Sequence, residues 1–137
     1  MAWRQNADFG NVSIDKLWDC SIAVSAENTN VVTCAITITD AVSGGSPGKA
    51  LAFPFYLSSD SAGQVPEAGT DCSVAAGTDG AVVQMSDGGS SIAGFLVTET
   101  TGEMDLTVTD TGTDAYYLNV IMPDGRIVTS SVITLTL

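Results

Sequence analysis

The sequence contains no histidine, and positive charges are scarce. Of its 137 residues, 4 are Lys or Arg and 16 are Asp or Glu, so the formal net charge is −12 at pH 7. Without histidine, Ser-His-Asp and Cys-His catalytic arrangements and His-ligated zinc sites are excluded. A surface with so few cations repels phosphate backbones and anionic lipid, which argues against nucleic-acid and membrane-surface partners.

Cysteine is scarce as well, and no apolar run is long. The three cysteines, Cys20, Cys34 and Cys72, are odd in number and lack C-x-x-C spacing, so neither a disulfide framework nor a zinc ribbon is indicated. The N-terminus lacks the apolar segment of a secretory signal, and no stretch approaches the ~18 apolar residues of a membrane span. We therefore expect reduced thiols that behave as small buried apolar groups, with a Cys20–Cys34 bridge as the alternative.

Motifs that carry chemistry are missing too. The sequence has neither a G-x-x-x-x-G-K-[ST] phosphate loop nor a G-x-G-x-x-G fingerprint, and nothing singles out a pair among its carboxylates for acid–base work. Turn segments such as Asp110–Asp114 offer oxygen ligands of the kind that calcium prefers, but Asp also favours turns because it bonds to its own backbone. We expect no catalytic residue, no metal ligand and no cofactor, and thus a protein that is not an enzyme.

Charge is distributed unevenly along the chain. Residues 1–16 contain two cations and two carboxylates, whereas residues 17–137 contain only Lys49 and Arg126 against 14 carboxylates. Residues 1–16 also lack the period-2 and period-3.6 alternation of strands and helices. The sequence therefore predicts a neutral N-terminal arm, residues 1–16, followed by an acidic domain, residues 17–137.

The arm contains the candidate partner-binding residues. Aromatic side chains dominate interface energetics, and cations on a neutral arm approach a partner more easily than the acidic body does. The alternative is that the two aromatic side chains fold back onto the domain's own sheet. The candidates are Trp3, Arg4, Phe9 and Lys16.

The body shows the alternation of β-strands. Val32, Cys34, Ile36 and Ile38 alternate with threonine and alanine, and similar stretches recur up to the C-terminus with Gly, Pro, Asn and Asp between them. Residues 58–80 lack a clear pattern, and we expect one short strand near residues 72–75 within this stretch, with a functional loop as the alternative. The predicted fold is an all-β, antiparallel, Ig-like β-sandwich of about seven to nine strands.

Two of the predicted strands contain residues that interrupt regular strand pairing. Pro54 lies within the predicted strand 51–57 and cannot donate a hydrogen bond to a neighbouring strand, so we expect that strand to be an edge strand or to carry a bulge. The last predicted strand, residues 127–137, contains Ser130-Ser131, where we expect a bulge.

Several stretches of the body resemble small Ig-like proteins encoded by tailed bacteriophages. The resemblance lies in strand and turn phrasing, covers roughly residues 30–137, and is strongest in Phe55-Tyr-Leu-Ser-Ser-Asp-Ser-Ala-Gly63, in residues 94–112 and in residues 116–128. It implies a virion structural protein of the capsid decoration, or cement, type. Such a protein is assembled in the host cytoplasm, binds the major capsid protein on the outside of the head, and commonly self-associates, often as a trimer.

A second function is compatible with the same fold. Ig-like domains also serve as adhesion modules on phage tails or fibres, where they bind host-surface carbohydrate, and fold alone does not distinguish the two roles. Carbohydrate binding calls for exposed aromatic side chains on one face, and the only tryptophans, Trp3 and Trp18, lie near the N-terminus. We therefore favour head decoration.

Overall fold

The structure is a computed structural model and describes residues 17–67, 72–85 and 92–136. These residues contain β-strands and no helix, and hence no helix that is long and apolar enough to cross a membrane. The strands are β1 (Trp18–Val24), β2 (Val31–Asp40), β3 (Ala52–Ser58), β4 (Cys72–Ala76), β5 (Ala81–Gln84), β6 (Ala93–Val97), β7 (Glu103–Asp110), β8 (Asp114–Ile121), β9 (Ile127–Thr129) and β10 (Ile133–Leu135).

The strands form two antiparallel sheets. One has the order β1-β2-β7-β4, and the other has the order β10-β8-β3-β6-β5, with β9 also paired to β8. The sheets pack against each other, and the predicted all-β antiparallel β-sandwich, Ig-like in this broad architectural sense, is confirmed. The prediction that the domain begins at residue 17 concerns a boundary with residues that the structure does not describe.

The core lies between the sheets and follows the alternation of the sequence. On β2, every second residue from Val32 to Ile38 is buried, and its neighbours in between point outwards. Adjacent Tyr116 and Tyr117 face opposite sides of β8, the first buried and the second partly exposed. Most of the buried apolar side chains of the core belong to β2, β3, β7 and β8. They are Val32, Cys34, Ile36 and Ile38; Phe53, Phe55 and Leu57; Met104, Leu106 and Val108; and Leu118 and Val120.

The structure refines the predicted strands at two places. The short strand expected near residues 72–75 is β4, Cys72–Ala76, which forms the edge of the four-stranded sheet. The last predicted strand is divided into β9 and β10, because residues 130–132 lie opposite only two residues of β8, 117 and 118. The N–H of Ser130 still donates to Leu118, so the extra residue is the bulge predicted at Ser130-Ser131. With these changes the described residues form ten strands, where the sequence predicted seven to nine.

The prediction that Pro54 marks an edge strand or a bulge is wrong. Strand β3 lies inside its sheet, between β8 and β6, and Pro54 sits opposite Phe95 in regular register. Alternate residues of a strand direct their N–H groups to opposite neighbours, and Leu57 donates to Ile92 on the β6 side. The backbone nitrogen of Pro54 therefore points towards β8, and pairing between β3 and β8 begins only at Phe55. A proline is accommodated because no donor is needed there.

Edge strand β1 is fastened to β9 and β10 across the open side of the sandwich. Near the start of β1, Nη2 of Arg126 donates to the carbonyl oxygen of Trp18 at 2.7 Å. Beyond its end, Oε2 of Glu27 accepts hydrogen bonds from the backbone N–H of Thr136 at 3.0 Å and from its hydroxyl at 2.6 Å. The first and last strands thus lie side by side and run in the same direction.

Candidate interaction surfaces

The outer surface of the six-stranded sheet carries mainly apolar side chains on five adjacent strands. Residues that lie side by side across β5, β6, β3, β8 and β9 form rows whose members point away from the core. We call these residues the apolar face; its rows are Ala81, Val97 and Ala52; Val83, Phe95, Pro54, Ile121 and Ile127; and Met85, Ala93, Tyr56, Asn119 and Thr129.

The apolar face contains no charged residue, although the protein has a net charge of −12. Its larger side chains are exposed: Met85 by 66%, Val83 by 55%, Ile127 by 47% and Phe95 by 38%. Isolated exposed apolar residues are common on protein surfaces, but a contiguous uncharged surface is typical of an interaction site.

The few polar groups of this face bond to one another or to a neighbouring loop. The hydroxyl of Thr129 donates to Oδ1 of Asn119 at 2.7 Å, and Nδ2 of Asn119 donates to the hydroxyl of Ser58 at 2.8 Å. Tyr56 donates its hydroxyl hydrogen to the carbonyl oxygen of Gly63 at 2.6 Å. With these partners, the polar groups of the face offer few free bonding positions to a ligand.

The loop of residues 59–66 covers one end of the apolar face. A Cβ atom on Gly63 would lie 2.5 Å from Oδ1 of Asn119, so only glycine lets the loop approach the sheet this closely. The carboxylate of Asp60 accepts the backbone N–H groups of Val65 and Gln64, and these bonds hold its pKa below the usual value. The rows containing Val83 and Ala81 lie away from the position of Asn119 and form the open part of the face.

The outer surface of the four-stranded sheet is different in character. It carries threonines together with the carboxylates of Asp19, Glu103 and Asp105, and we call it the threonine face. Five threonines point outwards here: Thr33, Thr37, Thr39, Thr107 and Thr109. The two outer faces therefore differ in both charge and polarity.

Within the described residues, both cations contact Trp18, at the point where residues 1–16 join the body. The ammonium nitrogen of Lys49 lies 5.7 Å from the centroid of the Trp18 ring, within the range of a cation–π interaction. Arg126 bonds to the Trp18 carbonyl oxygen, pairs with Asp124, and places Nη1 3.9 Å from Asp19. Loss of hydration raises the pKa of Asp124, but hydrogen bonds from Arg126 and its positive charge lower it by more, so the pKa of that carboxyl is below its usual value.

We call Lys49, Arg126 and Trp18 the cationic junction.

The candidate residues Trp3, Arg4, Phe9 and Lys16 lie outside the described residues, and their role as partner-binding groups stays a prediction. The cationic junction adds two neighbours that the sequence left in unrelated loops. Lys49 lies in the loop between β2 and β3, and Arg126 precedes β9. The packing of β1 beside β9 brings Arg126 to Trp18, and Lys49 reaches the same tryptophan from its own loop.

The described cysteines are free thiols, and no disulfide joins Cys20 to Cys34. In the sheet Cys34 lies opposite Val24, whereas Cys20 lies opposite Ile38. Burial raises the pKa of each of the three thiols from 9.0 to about 12; a nearby Arg126 charge partly offsets this at Cys20, and Asp110 adds to it at Cys72. Such thiols are weak nucleophiles at neutral pH.

The turn with potential calcium ligands uses its first carboxyl group internally. Oδ1 of Asp110 accepts the N–H of Gly112 at 2.7 Å, and Oδ2 accepts the hydroxyl hydrogen of Tyr116. This is the backbone-bonding role of aspartate in turns. Among the described residues, no group of three or more His, Cys, Asp or Glu side chains is arranged to hold a metal ion.

The apolar face was not predicted from the sequence, although a signal for it exists. Residues 51–57, 81–83 and 93–97 are apolar at nearly every position, so these strands lack the polar alternate residues that β2 and β7 show. Such runs indicate a strand that is apolar on both sides. Without the strand order, however, nothing in the sequence brings the three runs together on one surface.

Comparison with known proteins does not assign the chain to a family. No protein-family model matches the sequence, and no curated protein matches it. Among solved structures, the chain is similar to a cohesin module from a family 33 glycoside hydrolase of Clostridium perfringens, with a TM-score of 0.42 and 10% sequence identity over 86% of this chain and 93% of that chain. A similarity of this size does not separate one β-sandwich from another, and neither the fold assignment nor the function rests on it.

Proposed function

We propose that this chain is a non-enzymatic structural protein of a bacteriophage virion that binds the major capsid protein on the outside of the head and stabilises the shell. The observation that carries the proposal is the segregation of charge. The body is strongly acidic, and its two cations are gathered at the cationic junction, beside the point where residues 1–16 join it.

This segregation favours one end of the molecule as the contact with a large partner. The body holds 14 carboxylates against two cations, and both cations, Lys49 and Arg126, lie at the junction with Asp19 and Asp124, where the neutral residues 1–16 begin. Aromatic and cationic side chains are the groups that most often anchor protein interfaces, and Trp3, Arg4, Phe9 and Lys16 provide both kinds. The acidic remainder of the domain would keep the outside of a decorated particle soluble.

The resemblance of residues 30–137 to small Ig-like phage proteins supports the choice of a virion as the partner. The described part of that range forms strands β2 to β10 in a compact sandwich, the kind of rigid module that would suit a capsid surface. A sandwich alone is shared by many functions, so the phage assignment depends on the resemblance and on the test below.

The test is co-sedimentation of the full-length protein with phage heads that lack it, with intact host cells as a parallel bait. We expect saturable binding to heads at a fixed ratio to the capsid lattice. Trp3→Ala combined with Phe9→Ala should weaken that binding by about tenfold or more, because aromatic anchors dominate interface energetics. Binding to cells but not to heads would contradict the proposal and identify an adhesion module.

A matched pair of variants tests the cationic junction. Lys49→Gln and Ser73→Asp each make the net charge more negative by one, but Ser73 lies on β4, at the other edge of the sheet from β1. We expect a several-fold loss of head binding for Lys49→Gln and no loss for Ser73→Asp. Equal losses would mean that total charge, and not the junction, determines binding.

A further inference from the structure

We infer that the loop between β2 and β3, residues 41–51, is the part of the body that contacts the partner, with the side chain of Val42 inserted into an apolar pocket of the partner's surface. The inference rests on the proposed function, because it names described residues that meet the capsid beside the cationic junction. Val42 is 94% exposed, more than any other large apolar side chain of the described residues. Single exposed apolar residues are common on protein surfaces, but this one lies in a loop whose backbone is fixed.

Asp40 fixes the start of this loop, which we call the β2–β3 loop. Its Oδ1 accepts the N–H groups of Ser43 at 3.0 Å and Val42 at 2.8 Å, and these bonds hold the pKa of the carboxyl below its usual value. The N–H of Asp40 donates to the carbonyl oxygen of Gly45 at 2.9 Å, and its own carbonyl oxygen accepts the N–H of Gly44 at 2.8 Å. The backbone at Val42 therefore has one shape before a partner arrives, so little conformational freedom is lost on binding.

The middle of the β2–β3 loop is held by residues 98–102, the connection between β6 and β7. The hydroxyl group of Ser46 donates to the carbonyl oxygen of Thr100 at 3.0 Å. A Cβ atom on Gly102 would lie 2.9 Å from Cδ of Pro47, so the two loops are in close contact. The body therefore supports the β2–β3 loop, although most residues of the loop are exposed.

The β2–β3 loop borders the cationic junction at both of its ends. The N–H of Ala41 donates to the carbonyl oxygen of Leu17 at 3.1 Å. Near the other end of the loop, Nζ of Lys49 lies 5.7 Å from the centroid of the Trp18 ring. Lys49 is the only charged residue of the loop, in a body with 14 carboxylates. A partner that binds residues 1–16 therefore meets a neighbouring loop whose one charge is positive.

The free groups of the β2–β3 loop define the surface that fits it. Among the described residues, the backbone carbonyl oxygens of Val42, Ser43 and Gly44 accept no hydrogen bond, whereas the N–H of Gly45 donates to the hydroxyl group of Ser43. The loop thus offers a partner hydrogen-bond acceptors around one branched aliphatic side chain. The complementary surface is an apolar pocket of valine size with N–H or O–H donors at its rim, and burial of the side chain provides the attraction.

The experiment is co-sedimentation of full-length variants with phage heads that lack the protein, with intact host cells as a parallel bait. Val42→Asp and Val65→Asp each add one negative charge at an exposed valine, and Val65 is 55% exposed in the loop of residues 59–66, beyond the other end of β3. We expect Val42→Asp to weaken head binding about tenfold or more, because a carboxylate is excluded from an apolar pocket. Val65→Asp should leave binding unchanged, and equal binding by the two variants would overturn the inference.

Val42→Ser separates the loss of the apolar group from the added charge. It also replaces Val42→Asp if that variant fails to fold, as judged by its unfolding transition. We expect Val42→Ser to weaken head binding about fivefold or more, because the buried methyl groups are lost. Full binding by Val42→Ser would show that no apolar pocket receives this side chain, and the inference would be wrong.

Two substitutions of Asp40, a positioning residue, test whether the loop must be fixed. Asp40→Asn retains Oδ1 as an acceptor and Asp40→Ala removes it, and both make the net charge less negative by one. We expect Asp40→Ala to weaken head binding about threefold or more, because the loop must then be ordered on binding. Asp40→Asn should retain most of the binding, and hydrogen exchange at the N–H groups of Val42 and Ser43 should be faster in Asp40→Ala. Equal binding by the two Asp40 variants would contradict the inference that a fixed loop makes the contact.

The outcomes separate this inference from the proposed function. If the wild-type protein binds heads and Val42→Asp binds as tightly, the β2–β3 loop is not the contact and the proposed function stands. If the wild-type protein binds cells but not heads, the proposed function is wrong, and the same variants decide the inference on cells: a loss with Val42→Asp supports it, and no loss overturns it. Binding to neither heads nor cells contradicts both.

Discussion

The hydroxyl group of Tyr116 donates a hydrogen bond to the carboxyl group of Asp110, inside the sandwich, where the chain crosses from one sheet to the other. Asp110 is the last residue of β7 and Tyr116 lies near the start of β8, and both side chains are buried. The other oxygen of Asp110 accepts the N–H of Gly112 at 2.7 Å. The bond thus closes the turn and ties the two sheets together.

Tyr116→Phe removes this bond and leaves a buried carboxyl oxygen without its donor. We expect the free energy of unfolding to fall by about 1–3 kcal/mol, which is the cost of a buried polar group that loses its partner. Urea unfolding followed by circular dichroism measures the loss. The adjacent Tyr117→Phe, at a partly exposed position, is the control and should change stability by less than about 0.5 kcal/mol. Equal effects for the two variants would contradict the role of the bond.

The buried thiols predict a loss of stability at alkaline pH. The pKa of the Cys34 thiol is raised by burial from 9.0 to about 12, so the unfolded chain releases that proton at lower pH than the folded protein does. The stabilising contribution is therefore complete below pH 9 and is lost as the pH rises towards the folded value. Burial and the bond to Asp110 raise the pKa of Tyr116, which acts in the same direction above its ordinary value of 10.0.

Urea unfolding under reducing conditions between pH 8 and pH 11 tests this dependence. Cys34→Ala should be less stable at pH 8 because it leaves a cavity, yet its stability should decline less steeply above pH 9, by about 1.4 kcal/mol per pH unit for the one proton removed. A decline of unchanged steepness would show that the thiol does not contribute.

Asp79 lies among like charges, and its removal should stabilise the protein. Desolvation raises the pKa of Asp79, and the negative charges of Glu99, Asp105 and Glu103 raise it further. Because the folded value lies above the unfolded one, the contribution to stability is present at low pH and lost as the pH rises. We expect Asp79→Asn to raise Tm at neutral pH in low salt, and by less in high salt.

Asp60→Asn is the control with the opposite sign. The pKa of Asp60 is lowered, chiefly by the N–H of Val65, so its charged form stabilises the loop that covers Asn119. We expect this variant to lower Tm under the conditions in which Asp79→Asn raises it. Changes of the same sign in both would mean that net charge alone is responsible.

Gly94 permits the close pairing of β5 and β6. A Cβ atom at this position would lie 2.1 Å from the carbonyl oxygen of Val83 and 3.1 Å from Cα of Gln84, both in the backbone of β5. Gly94→Ala should therefore displace β5 and cost roughly 1–3 kcal/mol. Hydrogen exchange should show lost protection at the N–H of Met85, which donates to Ala93. Gly45→Ala, whose nearest contact is an ordinary 3.5 Å to Ser43, should be tolerated.

Much of the fold follows from the sequence because period-2 alternation is a local property. The alternation of β2 and β7 predicts strands that the structure contains, and even the weak signal near Cys72 marks a true edge strand. Pro54 was assigned wrongly because its effect depends on which neighbour its strand has at that residue. A local sequence pattern does not specify the order of the strands in a sheet.

The surfaces were harder to predict for the same reason. Pro54, Phe95 and Ile127 are far apart in the chain and become one row only through the order β5-β6-β3-β8-β9. Arg126 meets Trp18 because β1 packs beside β9, and Lys49 reaches the same residue from the loop between β2 and β3. The sequence predicts that the body is acidic, but it does not predict where its few cations gather.

The fastening of β1 to β9 and β10 has a mechanical consequence. Arg126 holds Trp18 at one end of the sandwich and Glu27 holds Thr136 at the other, so the chain enters and leaves the described domain at opposite ends. A pull between Leu17 and Thr136 runs along the strands and loads the β1–β2 and β8–β10 ladders in shear, so that many hydrogen bonds resist together instead of opening one after another. The two ladders therefore share a force that acts along the length of the described domain.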